Sequence, residues 1–344
     1  MLFRSYRFSK LAGIKQFMEE KHIETIQHTS FGHNIIAFSI NSPLPCFYHF
    51  DTDKVSVPSI NETILYQLSI DKITALSVSS CGSYVITGHP SGQFILWDSK
   101  LKIHLGSFSY SSKRVVTHVA MRKDCSTILA ALNNFQLLNL KVVQIMGYTM
   151  IKESDVLQFD SQITGIKEAN TCDESLYLFA VSFESKVVLI KSDDGISKVA
   201  EIPFHGPIID IFGIDWNFVL AVGENDSLKL LTINESGDCI ENKVVKFDTN
   251  VKSLSFISPK HIAVLLNNTI AMIHVSGEKC GNIKTKNINF SDISGIDNKI
   301  YLSPYYKCTF ENWNYHLLKL LKDDKYMEAI QEALLMYTDK LILY

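Results

Sequence analysis

ITALSVSSCGSYVITGHPSGQFILWD, residues 73–98, contains one complete three-strand unit together with its turns. Ile73–Val78 alternates apolar and small polar residues, the pattern of an extended segment with one face turned inward. Ser79-Ser80-Cys81-Gly82 supplies turn chemistry, Tyr84–Thr87 forms a second strand, and Gly88-His89-Pro90-Ser91-Gly92 turns the chain into a third, Gln93–Trp97. Such a meander cannot cover both of its faces, so it requires neighbours built the same way.

Equivalent openings recur along the chain. Strand starts are expected at Ile23, Ile73, Val116, Ile163, Ile208, Val251 and Phe290, with separations of 50, 43, 47, 45, 43 and 39 residues. A period of roughly 40–45 residues is that of a propeller blade. Second strands are expected at Asn34–Ile40, Tyr84–Thr87, Thr127–Leu132, Leu176–Ser182, Phe218–Val222, His261–Leu266 and Lys299–Leu302. Third strands follow at Phe135–Leu140, Lys186–Lys191, Ser227–Thr232 and Thr269–Val275, and Asn133-Asn134 and Gly223-Glu224-Asn225-Asp226 are typical hairpin turns between them. Segments such as Thr52–Glu62 and Met150–Gln162 leave room for a fourth, outer strand. The fold expected is mainly β: a propeller over residues 1–309, to which seven blades fit, with six blades or an incomplete ring as the alternatives.

After Cys308 the apolar period changes to that of a helix. Trp313, Leu317, Leu320 and Leu321 share one face of 311–322, Asp323-Asp324 makes a break, and Tyr326, Ala329, Ile330, Ala333, Leu334 and Tyr337 fall at i, i+3, i+4, i+7, i+8 and i+11. Residues 310–344 therefore read as a short α-hairpin, either a cap on the propeller or the start of a solenoid.

The 344 residues carry 33 basic and 36 acidic side chains, a balance that gives no reason to expect a nucleic-acid partner. The 37 aromatic residues follow the apolar faces and do not alternate with Lys or Arg, so no base-stacking platform is indicated. The N-terminus lacks the apolar core of a secretory signal, and no apolar run reaches the length of a membrane span. Seven cysteines at 46, 81, 125, 172, 239, 280 and 308 form no Cys-x-x-Cys pair, which suits reduced thiols in the cytosol. Cys81, Cys125 and Cys172 each follow a first strand and are read as repeat-equivalent small residues, too far apart to share a metal or a disulfide.

Catalytic signatures are missing from the sequence. Gly88–Gly92 falls short of a nucleophile elbow, because its serine is one place late and a strand follows where a helix is needed. There is no phosphate-binding glycine loop and no His-Glu-x-x-His pair. His89 and His118 lie inside the meander pattern and are expected to be hydrogen-bonded structural groups. Asp193-Asp194 and Asp323-Asp324 fall at turns or caps. No catalytic residue, cofactor or metal is assigned, and the partner-binding residues are left open.

Trp97-Asp98 at the end of the meander resembles a WD-repeat blade. Within that class, Gly88-His89-Pro90-Ser91-Gly92 with Phe94-Ile95-Leu96-Trp97-Asp98, and the following Arg114–Val119, resemble a blade of the vacuolar protein sorting-associated protein 8 family. Trp313 and the helix Tyr326-x-Glu328-Ala329-Ile330-x-x-Ala333-Leu334-x-x-Tyr337 are similar to that family's passage from propeller to solenoid. The resemblance covers about residues 73–119 and 311–340; the middle blades match in period alone. It implies a non-enzymatic subunit of the CORVET endosomal tethering complex, cytoplasmic and peripheral on the endosomal membrane. The partners implied are the other tethering subunits and a Rab GTPase of early endosomes. Family members are usually longer, with an extended solenoid and a RING-like domain that this chain does not have. A generic WD-repeat scaffold, in a coat or a ubiquitin-ligase adaptor, fits the same fold, and a propeller enzyme would need His, Asp or Glu clustered in the central channel.

Overall fold

The repeating strand–turn pattern resolves, in a computed structural model of the chain, into seven four-stranded antiparallel sheets. The structure describes residues 6–60, 71–111, 113–169, 178–192, 195–214, 217–234, 236–285, 290–296, 299–303, 306–310, 322, 325–327 and 330. In six of the seven blades the strands run outward from the channel in chain order. Blade 1 is His28–Gly32, Ile35–Ser39, Cys46–His49 and Lys54–Ser56, and blade 2 is Ala75–Val78, Tyr84–Gly88, Gln93–Asp98 and Ile103–Ser109. Blade 3 has Val116–Met121, Thr127–Leu132, Gln136–Ile145 and Tyr148–Gln158; blade 4 has Ile163–Glu168, Leu178–Phe183, Lys186–Ser192 and Ile196–Pro203. Blade 5 contains Ile208–Ile214, Asn217–Glu224, Ser227–Asn234 and Cys239–Lys246; blade 6 contains Ser253–Ser258, His261–Leu265, Thr269–His274 and Lys279–Lys284.

Burial explains why the middle strands are the most legible. Thr127–Leu132 and Leu178–Phe183 are buried at every position, because each second strand is covered by a neighbouring blade on both faces. Their sequences, TILAAL and LFAVSF, are accordingly continuous apolar runs with no alternation. The outer strand Cys239–Lys246 is exposed at most positions and shows no such run. Where blades meet, two glycines let the next blade's opening valine approach. A Cβ on Gly88 would lie 2.4 Å from Val116 Cγ1, and one on Gly223 2.6 Å from Val251 Cγ1.

Openings at Val116, Ile163 and Ile208 are strand starts as expected, while those at Ile73, Val251 and Phe290 precede their strands by two or three residues. Ile23 is corrected: the first strand of blade 1 begins at His28, and Ile26 packs at the edge of the core. Blade 7 differs more. Ile293–Ile296, Lys299–Leu302 and Tyr306–Phe310 supply three strands, and the fourth comes from the other end of the chain. Tyr6–Lys10 pairs antiparallel with Tyr306–Phe310, Phe8 opposite Cys308, and so closes the ring.

A helix follows directly, Ala12–Glu20, with Ile14 fully buried and Phe17 and Met18 packed beside it against Phe38 and Tyr48 of blade 1. Gly13 N–H donates to Asp53 Oδ1 (3.1 Å), as does Tyr48 Oη–H (2.7 Å), so one carboxylate ties the helix to blade 1. The expected α-hairpin falls on residues of which only 322, 325–327 and 330 are described, so it lies outside the described residues.

Candidate functional site

Blade 2 contains a buried polar chain made by the residues that carry the WD-like signature. Trp97, Thr87 and His89 are all fully buried. Trp97 Nε1–H donates to Thr87 Oγ1 (3.1 Å), and Thr87 Oγ1 lies 3.1 Å from His89 Nε2. His89 Nδ1 lies 2.8 Å from the carbonyl oxygen of Asp71, which only accepts. Nδ1 must therefore hold the proton, and Nε2 accepts from the threonine hydroxyl. Burial lowers the His89 pKa, which keeps the ring in this neutral tautomer. The chain pins the turn Gly88–Gly92 to the segment entering the blade; His89 is structural, and the turn is a hairpin as the sequence indicates.

The central channel, about 670 Å³, is lined by the inner strands of all seven blades. An inner strand has one unpaired edge, and its N–H groups need partners. Side chains of the preceding blade supply several. Ser30 Oγ accepts from Val78 N–H (3.0 Å), Ser255 Oγ from Gly295 N–H (3.0 Å), and the buried Asp210 carboxylate from Phe256 N–H (2.8 Å). Burial raises the Asp210 pKa. Thr74 and Thr117 hydroxyls donate back to Gly88 and Ala131 carbonyls of their own blades. Much of the channel's polar lining thus serves to hold blades together.

The channel also holds titratable groups. Glu168 accepts from Lys123 N–H (2.8 Å), and burial pushes its pKa up to about 7. Asp292 accepts from the Ser253 hydroxyl. His118 is depressed first by burial and then by the neighbouring His28. Among the described residues, no three His, Cys, Asp or Glu side chains come together as a metal site.

The cysteine reading needs a correction. Gly82 and Cys125 both close their turns with an N–H to the carbonyl three residues back, on Ser79 and Arg122, so Cys125 is the counterpart of Gly82 and Cys81 that of Asp124. Both Gly82 and Cys125 are left-handed, with φ 76° and 61°. Adjacent turns also meet: Cys81 Sγ lies 3.4 Å from the Lys123 carbonyl oxygen. Neither sulfur is in a disulfide, and burial pushes the Cys125 thiol up to about 12. Cys172 and Asp193-Asp194 lie outside the described residues.

One surface feature was not singled out in the sequence. The outer hairpin turns of blades 2 and 3 expose Leu101 (67%) and Met146 (95%) at their tips, with Tyr148 (76%) beside the second. The corresponding turns of blades 1, 5 and 6 carry Asp51-Thr52-Asp53, Gly237-Asp238 and Ser276-Gly277-Glu278. The signal was present in the segment QIMGYTM, where a surface hairpin would ordinarily be polar.

No protein-family model matches this chain, and no curated protein matches it significantly. Solved structures do. The chain is similar to the β-propeller domain of Myceliophteria thermophila Cps50 (Swd1), with a TM-score of 0.59 and 12% identity over 84% of this chain and 99% of that one. It is similar to a chain of the Mitotic Checkpoint Complex, with a TM-score of 0.62 and 13% identity over 90% of this chain and 95% of that one. A third likeness is to the computationally designed Ika8 protein, with a TM-score of 0.57 and 12% identity over 84% of each chain. At such identities the likeness is one of fold: this chain is a seven-bladed, WD-repeat-like β-propeller.

Proposed function

We propose that this propeller is a non-catalytic scaffold in a multiprotein assembly, specifically a CORVET-like endosomal tethering subunit. The observation that carries the scaffold reading is the closed ring, several of whose channel hydroxyls and carboxylates are engaged in bonds between and within blades, while its loops and outer surface offer area for partners. The tethering role rests on the resemblance of residues 73–119 and 311–340 to the vacuolar protein sorting-associated protein 8 family. In this reading residues 1–309 are the propeller, directed to an early-endosomal Rab GTPase, and 310–344 begin the helical part that joins other subunits. The protein is then cytoplasmic and peripheral on endosomes, held there by linked weak contacts that raise effective concentration.

Affinity purification of the tagged chain with mass spectrometry, paired with a pull-down on a panel of GTP-loaded endosomal Rabs, tests this. Recovery of tethering subunits and one GTP-dependent Rab is expected. Recovery of coat or ubiquitin-ligase subunits instead, with no Rab retained, leaves the scaffold and removes the tethering role.

A further inference from the structure

We propose that the outer turns of blades 2 and 3 form a two-pronged contact with an anionic lipid surface, Leu101 and Met146 entering the headgroup layer and nearby lysines meeting the phosphates. The two turns are equivalent positions on neighbouring blades and point from the same face of the ring. They are braced together, since Gly106 of blade 2 sits so close to blade 3 that a Cβ there would lie 2.7 Å from the Thr149 carbonyl oxygen.

The blade 3 hairpin is long, its ladder running from Gln136↔Gln158 to Ile145↔Tyr148. Blade 4 meets this hairpin at Asp155, whose carboxylate accepts Ile196 N–H (3.1 Å), and the ladder continues beyond that rung to the tip pair Ile145↔Tyr148. On the projecting face the rungs from the tip inward are Ile145 with Tyr148, Val143 with Met150, and Lys141 with Lys152. Four residues of strand place Lys152 about 13 Å behind Tyr148. That order, two rungs of apolar and aromatic side chains at the apex backed by ammonium groups, matches the depth profile of a bilayer interface.

Charge favours the same occupant. Lys100 and Lys102 flank Leu101 and are exposed, as is Lys152, and none of the three forms an ion pair among the described residues. The nearby Asp98 carboxylate is engaged by Lys100 and Leu101 N–H groups (2.8 and 2.7 Å), and Glu153, next to Lys152, alternates to the other face of its strand. Anionic lipid attracts such lysines additively. The apex is also strained. Met146 is left-handed (φ 50°) before Gly147 (φ 83°), in a two-residue turn where Asn is the ordinary choice, and at 95% exposure no packing offsets that strain.

This contact is separate from the tethering assignment and stands or falls without it. Flotation of the full chain with phosphatidylcholine vesicles, with and without phosphatidylserine, tests it. The wild type is expected to float with phosphatidylserine vesicles and to be released by high salt. The double variant Leu101→Asn, Met146→Asn is expected to lose about tenfold or more of that partition while melting at the same or a higher temperature. Lys100→Glu with Lys102→Glu is expected to abolish the phosphatidylserine preference. A wild type that stays soluble with both vesicle types overturns the proposal. Equal flotation of the Asn double variant does so too, as would a variant that floats normally but loses a co-purifying protein, which would mark the surface as a protein dock.

Discussion

At the scale of single residues, one blade carries the recognisable sequence for a physical reason. Trp97, Thr87 and His89 make a directional chain in a fully buried site, and each group depends on the next. Thr87→Val keeps the volume but orphans Trp97 Nε1–H and His89 Nε2, at about 1–3 kcal/mol each. Urea unfolding should therefore show a loss of roughly 2–6 kcal/mol with an unchanged m-value, and a loss within error of zero would mean the chain is not formed. Phe135 gives the opposite case. It occupies the left-handed turn position that Gly92 fills in blade 2 (φ 67° against 78°) and is 38% exposed. Phe135→Gly should raise stability by about 1 kcal/mol through relief of that conformation, read as a higher Tm. The sequence showed His89 as structural but not its partner, the Asp71 carbonyl, because backbone atoms eighteen residues away leave no side-chain signature.

Among the elements, legibility followed burial. The second strands of blades 3 and 7, Thr127–Leu132 and Lys299–Leu302, have the expected bounds, since burial between neighbours writes a short apolar run, Ile128–Leu132 in one and Ile300–Leu302 in the other. Blade 1 was misplaced at Ile23 because its inner strand, His28–Gly32, is only partly buried over most of its length and shows no alternation. Tyr6–Lys10 was missed altogether: its partner stands at the far end of the chain, and nothing local distinguishes a closing strand from a tail. Its removal would leave the Tyr306–Phe310 edge unpaired and uncover Phe290, which Phe8 approaches at 5.8 Å between ring centroids. Deletion of residues 1–10 should lower Tm by several degrees and increase aggregation on heating, measured by light scattering alongside circular dichroism. An unchanged melt would show that the ring does not depend on this strand.

For the molecule as a whole, the seven-fold period was readable, and the surface chemistry far less so. Periodicity reports what is buried, and Leu101 and Met146 are conspicuous only once the turns around them are known to be polar. Acid response is likewise a property of the ensemble. Burial lowers the pKa of His28, His49, His89, His104, His118 and His261. Each takes up its proton at lower pH in the fold than in the unfolded chain, which does so near pH 6.5, so the stability it contributes is present above that pH and is lost as the pH falls below it. Glu168, raised to about 7, and Asp210, also raised by burial, work the other way, since the folded state holds their protons first. Six against two, the histidines dominate, and Tm should fall between pH 7.5 and about 5.5. His89→Gln should flatten that slope, because His89 is the most deeply buried of the six; a Tm that rises on acidification would contradict the assignment.

Closure of blade 7 by the first strand also orders events in time. Tyr6–Lys10 leaves the ribosome first and pairs with the strand that ends at Phe310. At roughly 5–20 residues per second, that leaves it waiting about 15–60 s for its partner. Six blades can assemble in succession behind it, while the seam stays open until the seventh has emerged. During that interval the nascent chain presents an unpaired strand at one end of the growing arc and an uncovered apolar sheet face at the other, which makes the interrupted product a natural client for chaperones and a natural seed for pairing between chains.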